Sequence, residues 1–349
     1  MSYKIALWPG DGVGPEVLNE AVKVLNKLSI DIEFTEFDWN TSLYLELGRC
    51  TPVDYIEQLK TFDAILFGAL GNKKNAPEHI GVAPLLEMRK AFDQYVNLRP
   101  SILLPGVDCP LKNKKAYDID MIAIRENTEG EYSMLGGRHY EGTPNEAALQ
   151  VNYFTRMGTE RIVRYAFETA MKRDKKKLTS VTKSNVLKHS MVFWDSVVEN
   201  VACEYPDVEV ESMYVDAVAM NFIRCPENFD VVVSSNLFGD ILTDISAIII
   251  GGMGFAGSGN INPERIFPSM FEPVHGSAPD IAGQNISNPI AAILSASMML
   301  DFLGEKEKAD KVVHAVKGHL AEDKIKTPDR KGSNSTGEVG TNIASRIVV

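Results

Sequence analysis

The sequence predicts an α/β protein built on parallel strands. Two observations carry that expectation. Short β-rich runs alternate with segments of helical period, the pattern left by a parallel sheet covered with helices. The chain has 349 residues, 44% of them hydrophobic. That is enough apolar mass for a sizeable core, and single cores stop growing near ~250–300 residues, so two domains or one large domain are favoured.

The elements follow in order. Tyr3–Trp8 reads as a strand, PGDGVG as a turn, and Pro15–Leu28 as a helix with proline near its start. Ile32–Phe37 and Ala64–Phe67 read as further strands, and Pro84–Tyr95 as a helix followed by Arg-Pro. Met121–Ile124 is a strand running into RENTEGEY. Leu178–Thr182 is a strand ending at Lys183, with a helix from about Leu187 to Glu204. Val231–Ser234 is a strand, and LFGDILTDISA is the helix after it. The last hundred or so residues read as mostly helical with glycine-rich connections. Residues 133–157 fit neither period and read as an excursion, a β arm at an interface. No repeat of roughly 20–50 residues is visible.

Composition excludes several function classes. Net charge is −11, from 36 basic and 47 acidic side chains. A nucleic-acid partner needs a basic face, so none is expected. An anionic substrate is not excluded, because a local arginine cluster can overrule the global charge. Cys50, Cys109, Cys203 and Cys225 are scattered without a CxxC pair and read as reduced thiols. The start lacks a signal-peptide pattern, and the apolar run near Ile248–Ile250 is too short to span a bilayer. A cytoplasmic protein with no membrane partner is expected.

Gly10, Gly12 and Gly14 follow a strand and open a helix, as in a dinucleotide-binding fingerprint. The third glycine of that fingerprint should stand where this chain has Pro15, so the motif reads instead as a tight turn freeing the helix start.

Four constellations carry chemistry. Asp240 and Asp244 are four apart on an otherwise apolar helix and share one face. Paired carboxylates suit Mg²⁺ or Mn²⁺; spacing alone leaves a solvated acidic face equally open. Asp216, in MYVDAVA, is a candidate third ligand. Arg89, Arg99 and Arg125 are candidate carboxylate clamps, each also readable as a surface ion pair. Arg125 is the least ordinary, because it ends the apolar strand MIAI. Lys183 and Tyr132 are candidates for proton transfer, against a solvated charge and a packed aromatic. Residues 271–289, rich in Gly, Pro, Ser and Asn, form a shaped loop suited to a nucleotide. In it, Asp280 is able to accept from a ribose 2′-hydroxyl and would repel a 2′-phosphate.

Together these pieces resemble the β-decarboxylating dehydrogenases, the isocitrate/isopropylmalate dehydrogenase family. GDGVGPEV, LRP at 98–100, RENTEGEY at 125–132, TKSN at 182–185, SNLFGDILTD at 235–244 and EPVHGSAPDIAG at 272–283 occur in the family's order. The resemblance implies two α/β domains with an active-site cleft between them. Residues 1–99 and 253–349 would form a large cofactor-binding domain, and 100–252 a small domain with the metal ligands, dimerisation helices and the arm. Arg89, Arg99 and Arg125 would clamp substrate carboxylates, with Leu85 and Leu86 beside them. Asp216, Asp240 and Asp244 would hold Mg²⁺ or Mn²⁺. Lys183 and Asp216 would remove the hydroxyl proton and reach the site from a second subunit, implying a homodimer with shared sites. Tyr132 would protonate the product enolate. His275, Gly276, Ser277, Ala278, Pro279, Asp280, Ile281 and Asn288 would bind the adenosine side of the cofactor, with Asn185 near the nicotinamide. Asp280-Ile281 resembles the NAD form, since NADP members tend to place Lys-Tyr there.

The details resemble most the tartrate/D-malate group: FDWNTSLYLELGR, PGVDCPL, RENTEGEYS with GGR, INPER and DIAGQNISNPI. D-malate or tartrate is therefore the expected substrate. The segment HIGVAP departs from that group, which usually has a tryptophan there. Leu85-Leu86 keeps 3-isopropylmalate as the second reading, then isocitrate. A non-catalytic regulatory subunit is the alternative of another class; its mark would be loss of Lys183, Tyr132 or a metal aspartate, and all are present.

Overall fold

The computed structural model describes residues 2–348. In chain order the strands are β1 Tyr3–Gly10, β2 Ile32–Glu36, β3 Ala64–Ala69, β4 Val96–Ile102, β5 Asp120–Glu126, β6 Gly136–His139, β7 Ala147–Gln150, β8 Lys177–Thr182, β9 Glu209–Tyr214, β10 Val231–Ser234, β11 Gly257–Ile261 and β12 Ser269–Pro273. The helices are α1 Gly14–Leu25, α2 Tyr44–Leu47, α3 Tyr55–Leu59, α4 Glu78–Ala91, α5 Arg156–Met171, α6 Ser190–Ala202, α7 Val215–Arg224, α8 Asn236–Ile249, α9 Ile290–Phe302, α10 Lys306–Glu322 and α11 Thr336–Ala344. They fall into two units. The first holds the chain up to Gln94, Arg99–Ile119 and the chain from Ala247 onward; the second holds Tyr95–Leu98 and Asp120–Ser246.

In the first unit the strands run in the order β2-β1-β3-β12-β11. Neighbours are parallel except β11 with β12. All six residues of β3 are buried, as expected where helices cover both faces of a parallel sheet. An aromatic cluster fills one side. Trp8 lies edge-on to Trp39 at 5.6 Å and to Phe67 at 5.0 Å, and its Nε1 donates to the Trp39 carbonyl at 2.6 Å.

The structure corrects one helix and adds elements. α4 spans Glu78–Ala91, not Pro84–Tyr95, and carries Pro84 inside it. Proline removes the N–H that would bond the Ile80 carbonyl. Neighbouring side chains take up the groups at the break: Cys50 Sγ donates to the Ile80 carbonyl at 3.9 Å, and the Tyr55 hydroxyl to the Pro84 carbonyl at 2.8 Å. β11 and β12 lie in the stretch expected to be mostly helical, and α5, β4 and β9 had no counterpart in the sequence reading.

The second unit holds the order β5-β10-β8-β9, all parallel. The excursion at 133–157 contains an antiparallel hairpin, with Gly136 opposite Gln150 and all eight strand residues exposed. It ends where Thr155 caps α5, its side chain accepting from Gly158 N.

A pH dependence follows from His319. It is buried on α10, with Nδ1 2.8 Å from the Asn342 side-chain oxygen and Nε2 without a partner. Burial holds its pKa below the ordinary value, and Arg330 and Arg346 push the same way, against the Asn342 hydrogen bond and Glu322. Below about pH 6.5 the unfolded chain takes up this proton before the folded one does. The melting temperature should therefore hold steady above about pH 6.5 and fall as pH drops below it, less steeply in His319→Gln. Equal slopes in wild type and variant would remove His319 as a cause.

Candidate active site

The second unit places Arg125 at the end of β5, 1% exposed. Its Nε and Nη2 donate to Asn236 Oδ1 at 3.1 and 2.8 Å, and its Nη1 to Asp240 Oδ1. The other oxygen of Asp240 accepts from the Tyr132 hydroxyl at 2.7 Å. The guanidinium also lies 5.4 Å from the centre of the Tyr132 ring. The structure thus joins three expected residues, Arg125, Asp240 and Tyr132, into one chain of contacts. Asp240 is half-buried, and Asp244, one turn on, is exposed.

Two acids of RENTEGEY, Glu126 and Glu129, brace the local backbone. Glu126 accepts from Thr128 N and Oγ1 and from Glu129 N, each at 2.8 Å. Its complete burial raises its pKa despite these bonds. Glu129 accepts from Thr155 N at 2.8 Å and Thr155 Oγ1 at 2.5 Å, fastening the start of α5.

Lys183, just past β8, donates to Asp216 Oδ1 at 2.5 Å. Asp216 lies in the first turn of α7. The lysine and a backbone N–H hold its carboxyl below the ordinary range. Asn185 sits exposed in the turn after Lys183. Among the described residues, no three His, Cys, Asp or Glu side chains gather at metal-holding distance. One chain by itself does not assemble Asp216, Asp240 and Asp244.

In the first unit α4 carries Leu85 and Arg89, both buried, and Leu86, partly exposed. Arg89 Nη2 donates to Glu272 Oε1 at 3.2 Å, and Asn260 Nδ2 donates to the same oxygen at 2.6 Å. Arg89 Nε is buried without a partner. Arg99 lies buried on β4.

The loop after β12 is tied to the GDGVG turn. Val13 N donates to the Ser277 carbonyl at 2.8 Å, and Ser277 Oγ donates to the Gly71 carbonyl. A Cβ on Gly12, whose φ is +63°, would lie 1.8 Å from the Ser277 oxygen. These glycines let backbone meet backbone, as the tight-turn reading requires. Gly283 N donates to Glu16 Oε1 at 2.5 Å. His275 Nδ1 lies 3.0 Å from the Gly276 carbonyl, while Nε2 is shielded and without a partner. Burial depresses the His275 pKa, so the ring is neutral at pH 7. Gly276, Ala278, Pro279 and Asp280 are exposed, and Ile281 partly so. Ala278 holds a left-handed φ of 41°. Asn288 is buried; its Nδ2 donates to Asp329 at 3.0 Å and its Oδ1 accepts from Ile290 N at 3.1 Å.

Sequence reasoning passed over Asn236, Gly239, Asn260 and Glu272. All but Asn260 lie inside quoted motifs, which were read only for residues able to ligate, clamp or bind a nucleotide.

A family model described as isocitrate/isopropylmalate dehydrogenase matches residues 4–343. The chain is 48% identical to a tartrate dehydrogenase/decarboxylase of Pseudomonas putida, covering 99% of this chain and 98% of that one. It is 49% identical to a decarboxylating D-malate dehydrogenase of Escherichia coli, covering 99% of each. The crystal structure of isocitrate dehydrogenase from Methylococcus capsulatus superposes with a TM-score of 0.90 at 33% identity, covering 99% of each chain.

Proposed function

The chain belongs to the isocitrate/isopropylmalate dehydrogenase family, and from that premise we propose that it catalyses NAD-dependent oxidative decarboxylation of D-malate, to pyruvate and CO₂, or of tartrate. The observation that carries the proposal is the chain Arg125–Asp240–Tyr132. It joins an anion binder, a metal-ligating carboxylate and a proton donor within hydrogen-bond reach. The choice of substrate rests on the names of the two relatives.

The residues fit the implied groups. Asp216, Asp240 and Asp244 supply the all-oxygen donor set that Mg²⁺ or Mn²⁺ favours. The unpartnered His275 Nε2 suits a nitrogen or hydroxyl of an adenosine, and Asp280 suits a ribose hydroxyl. The bound metal would supply Lewis-acid stabilisation of charge on the substrate oxygens, and NAD would accept the hydride.

The chain's own residues do the rest. Arg89, Arg99 and Arg125 orient the two carboxylates. Lys183 and Asp216 take the hydroxyl proton, directly or through water, as hydride leaves C2. The resulting 3-carboxy ketone loses CO₂, and the Tyr132 hydroxyl gives its proton to C3 of the enolate left behind. Lys183 and Asp216 act in the site of a second copy. That Asp216, Asp240 and Asp244 are not gathered in one chain supports this arrangement. So do the exposed apolar side chains Val192, Met220, Ile223 and Ile241 on α6, α7 and α8.

NADH appearance with Mn²⁺ is the test, comparing D-malate, meso- and L-tartrate, 3-isopropylmalate and isocitrate, with NAD and with NADP. Turnover should be fastest on D-malate or tartrate and strongly favour NAD. Preference for 3-isopropylmalate would make Leu85-Leu86 the specificity pocket. Bound NAD without turnover on any acid would favour a regulatory subunit.

A further inference from the structure

We propose that Asn236 is the positioning residue for Arg125, fixing the plane of the guanidinium without adding a second carboxylate to the one it already meets at Asp240. The inference rests on the reading above that Arg125 binds a substrate carboxylate.

Asn236 opens α8 and is 1% exposed. Its amide is oriented from behind, because Nδ2 donates to the Glu129 carbonyl at 3.1 Å. That carbonyl belongs to the loop that follows β5, four residues on from Arg125, so the grip closes on itself. Turned this way, Oδ1 faces one edge of the guanidinium and accepts from both Nε and Nη2. Nη1 is then directed at Asp240.

A second device acts on the stem of the arginine. A Cβ on Gly239 would lie 2.6 Å from Arg125 Cγ and 2.7 Å from Arg125 Cβ. The stem therefore fills space that any larger residue would take. Gly239 makes room for the methylenes, and Asn236 sets the plane of the fork.

Chemistry explains an amide here rather than a carboxylate. Arg125 already meets one carboxylate at Asp240; an aspartate here would meet the same two donors but set a second negative charge beside the fork. A neutral acceptor orients the fork without adding repulsion toward an anionic substrate. Loss of hydrogen bonds to a charged group typically costs about tenfold to a hundredfold in binding.

The experiment compares Asn236→Ala, Asn236→Asp and Arg125→Ala with the wild type in steady-state kinetics on D-malate, with melting temperature and NADH binding in parallel. Asn236→Ala should raise KM about ten- to hundredfold and change kcat less than about threefold. Asn236→Asp should raise KM comparably although an acceptor remains, because a second carboxylate beside the guanidinium repels the anionic substrate. A merely structural role would lower the melting temperature or the NADH-binding fraction without splitting KM from kcat. If folded Asn236 variants keep the wild-type KM while Arg125→Ala raises it, Asn236 is packing only and the inference fails. If Arg125→Ala itself leaves KM unmoved, the assignment of Arg125 fails and the inference with it. Should Asn236→Ala not fold, the isosteric Asn236→Asp decides.

Discussion

Replacing Lys183 with methionine is expected to lower kcat by roughly 10²–10⁴ while leaving the fold intact. The argument separates two roles of one contact. Lys183 meets Asp216 at 2.5 Å, with the lysine side chain 28% exposed and the aspartate 60%. An ion pair this open to solvent contributes little to stability. The ammonium also lies 5.8 Å from the centre of the Tyr214 ring, a contact that methionine's apolar chain partly replaces. The melting temperature should therefore barely move. Turnover should collapse, because proton removal from the hydroxyl accompanies hydride departure. Steady-state kinetics beside a thermal melt checks this. A variant with near-wild-type kcat would show that Lys183 is only a surface partner of Asp216.

Tyr132→Phe is expected to slow turnover on a similar scale, roughly 10²–10⁴, but at a different step. The substitution removes one oxygen. The ring stays beside the Arg125 guanidinium, and Asp240 keeps its arginine contact. What disappears is the hydroxyl that donates to Asp240 at 2.7 Å. If that hydroxyl protonates C3 after CO₂ leaves, hydride transfer precedes the damaged step. Rapid mixing should then show a burst of about one NADH per site, followed by slow turnover. Lys183→Met should show no burst. A Tyr132→Phe enzyme without a burst would place the tyrosine at or before hydride transfer and overturn its assignment.

The sequence told more about which polar residues meet than about element boundaries. Arg125, Tyr132 and Asp240 were each legible from motif positions, and the structure brings them into contact. The partner that holds Arg125, Asn236, was not. An asparagine that opens a helix reads as a cap, and only the fold brings β5 against α8. The GDGVG segment forms the tight turn that Pro15 suggested, with Gly12 packed on the Ser277 carbonyl. α4 was started six residues late for a related reason. Pro84 is a sound stop signal locally, and the thiol of Cys50 and hydroxyl of Tyr55 that relieve it come from 30 residues earlier in the chain. β11 was hidden because GSGNI has few β-formers; its glycines serve close approach, with a Cβ on Gly259 falling 3.0 Å from the Phe271 ring.

The measurement that tests the central claim most directly is paired determination of NADH and CO₂ formed from D-malate with Mn²⁺, with and without a chelator. Equal amounts of NADH and CO₂, both abolished by the chelator, are the result expected of a metal-dependent oxidative decarboxylase. NADH without CO₂, or NADH that persists in the chelator, would contradict it.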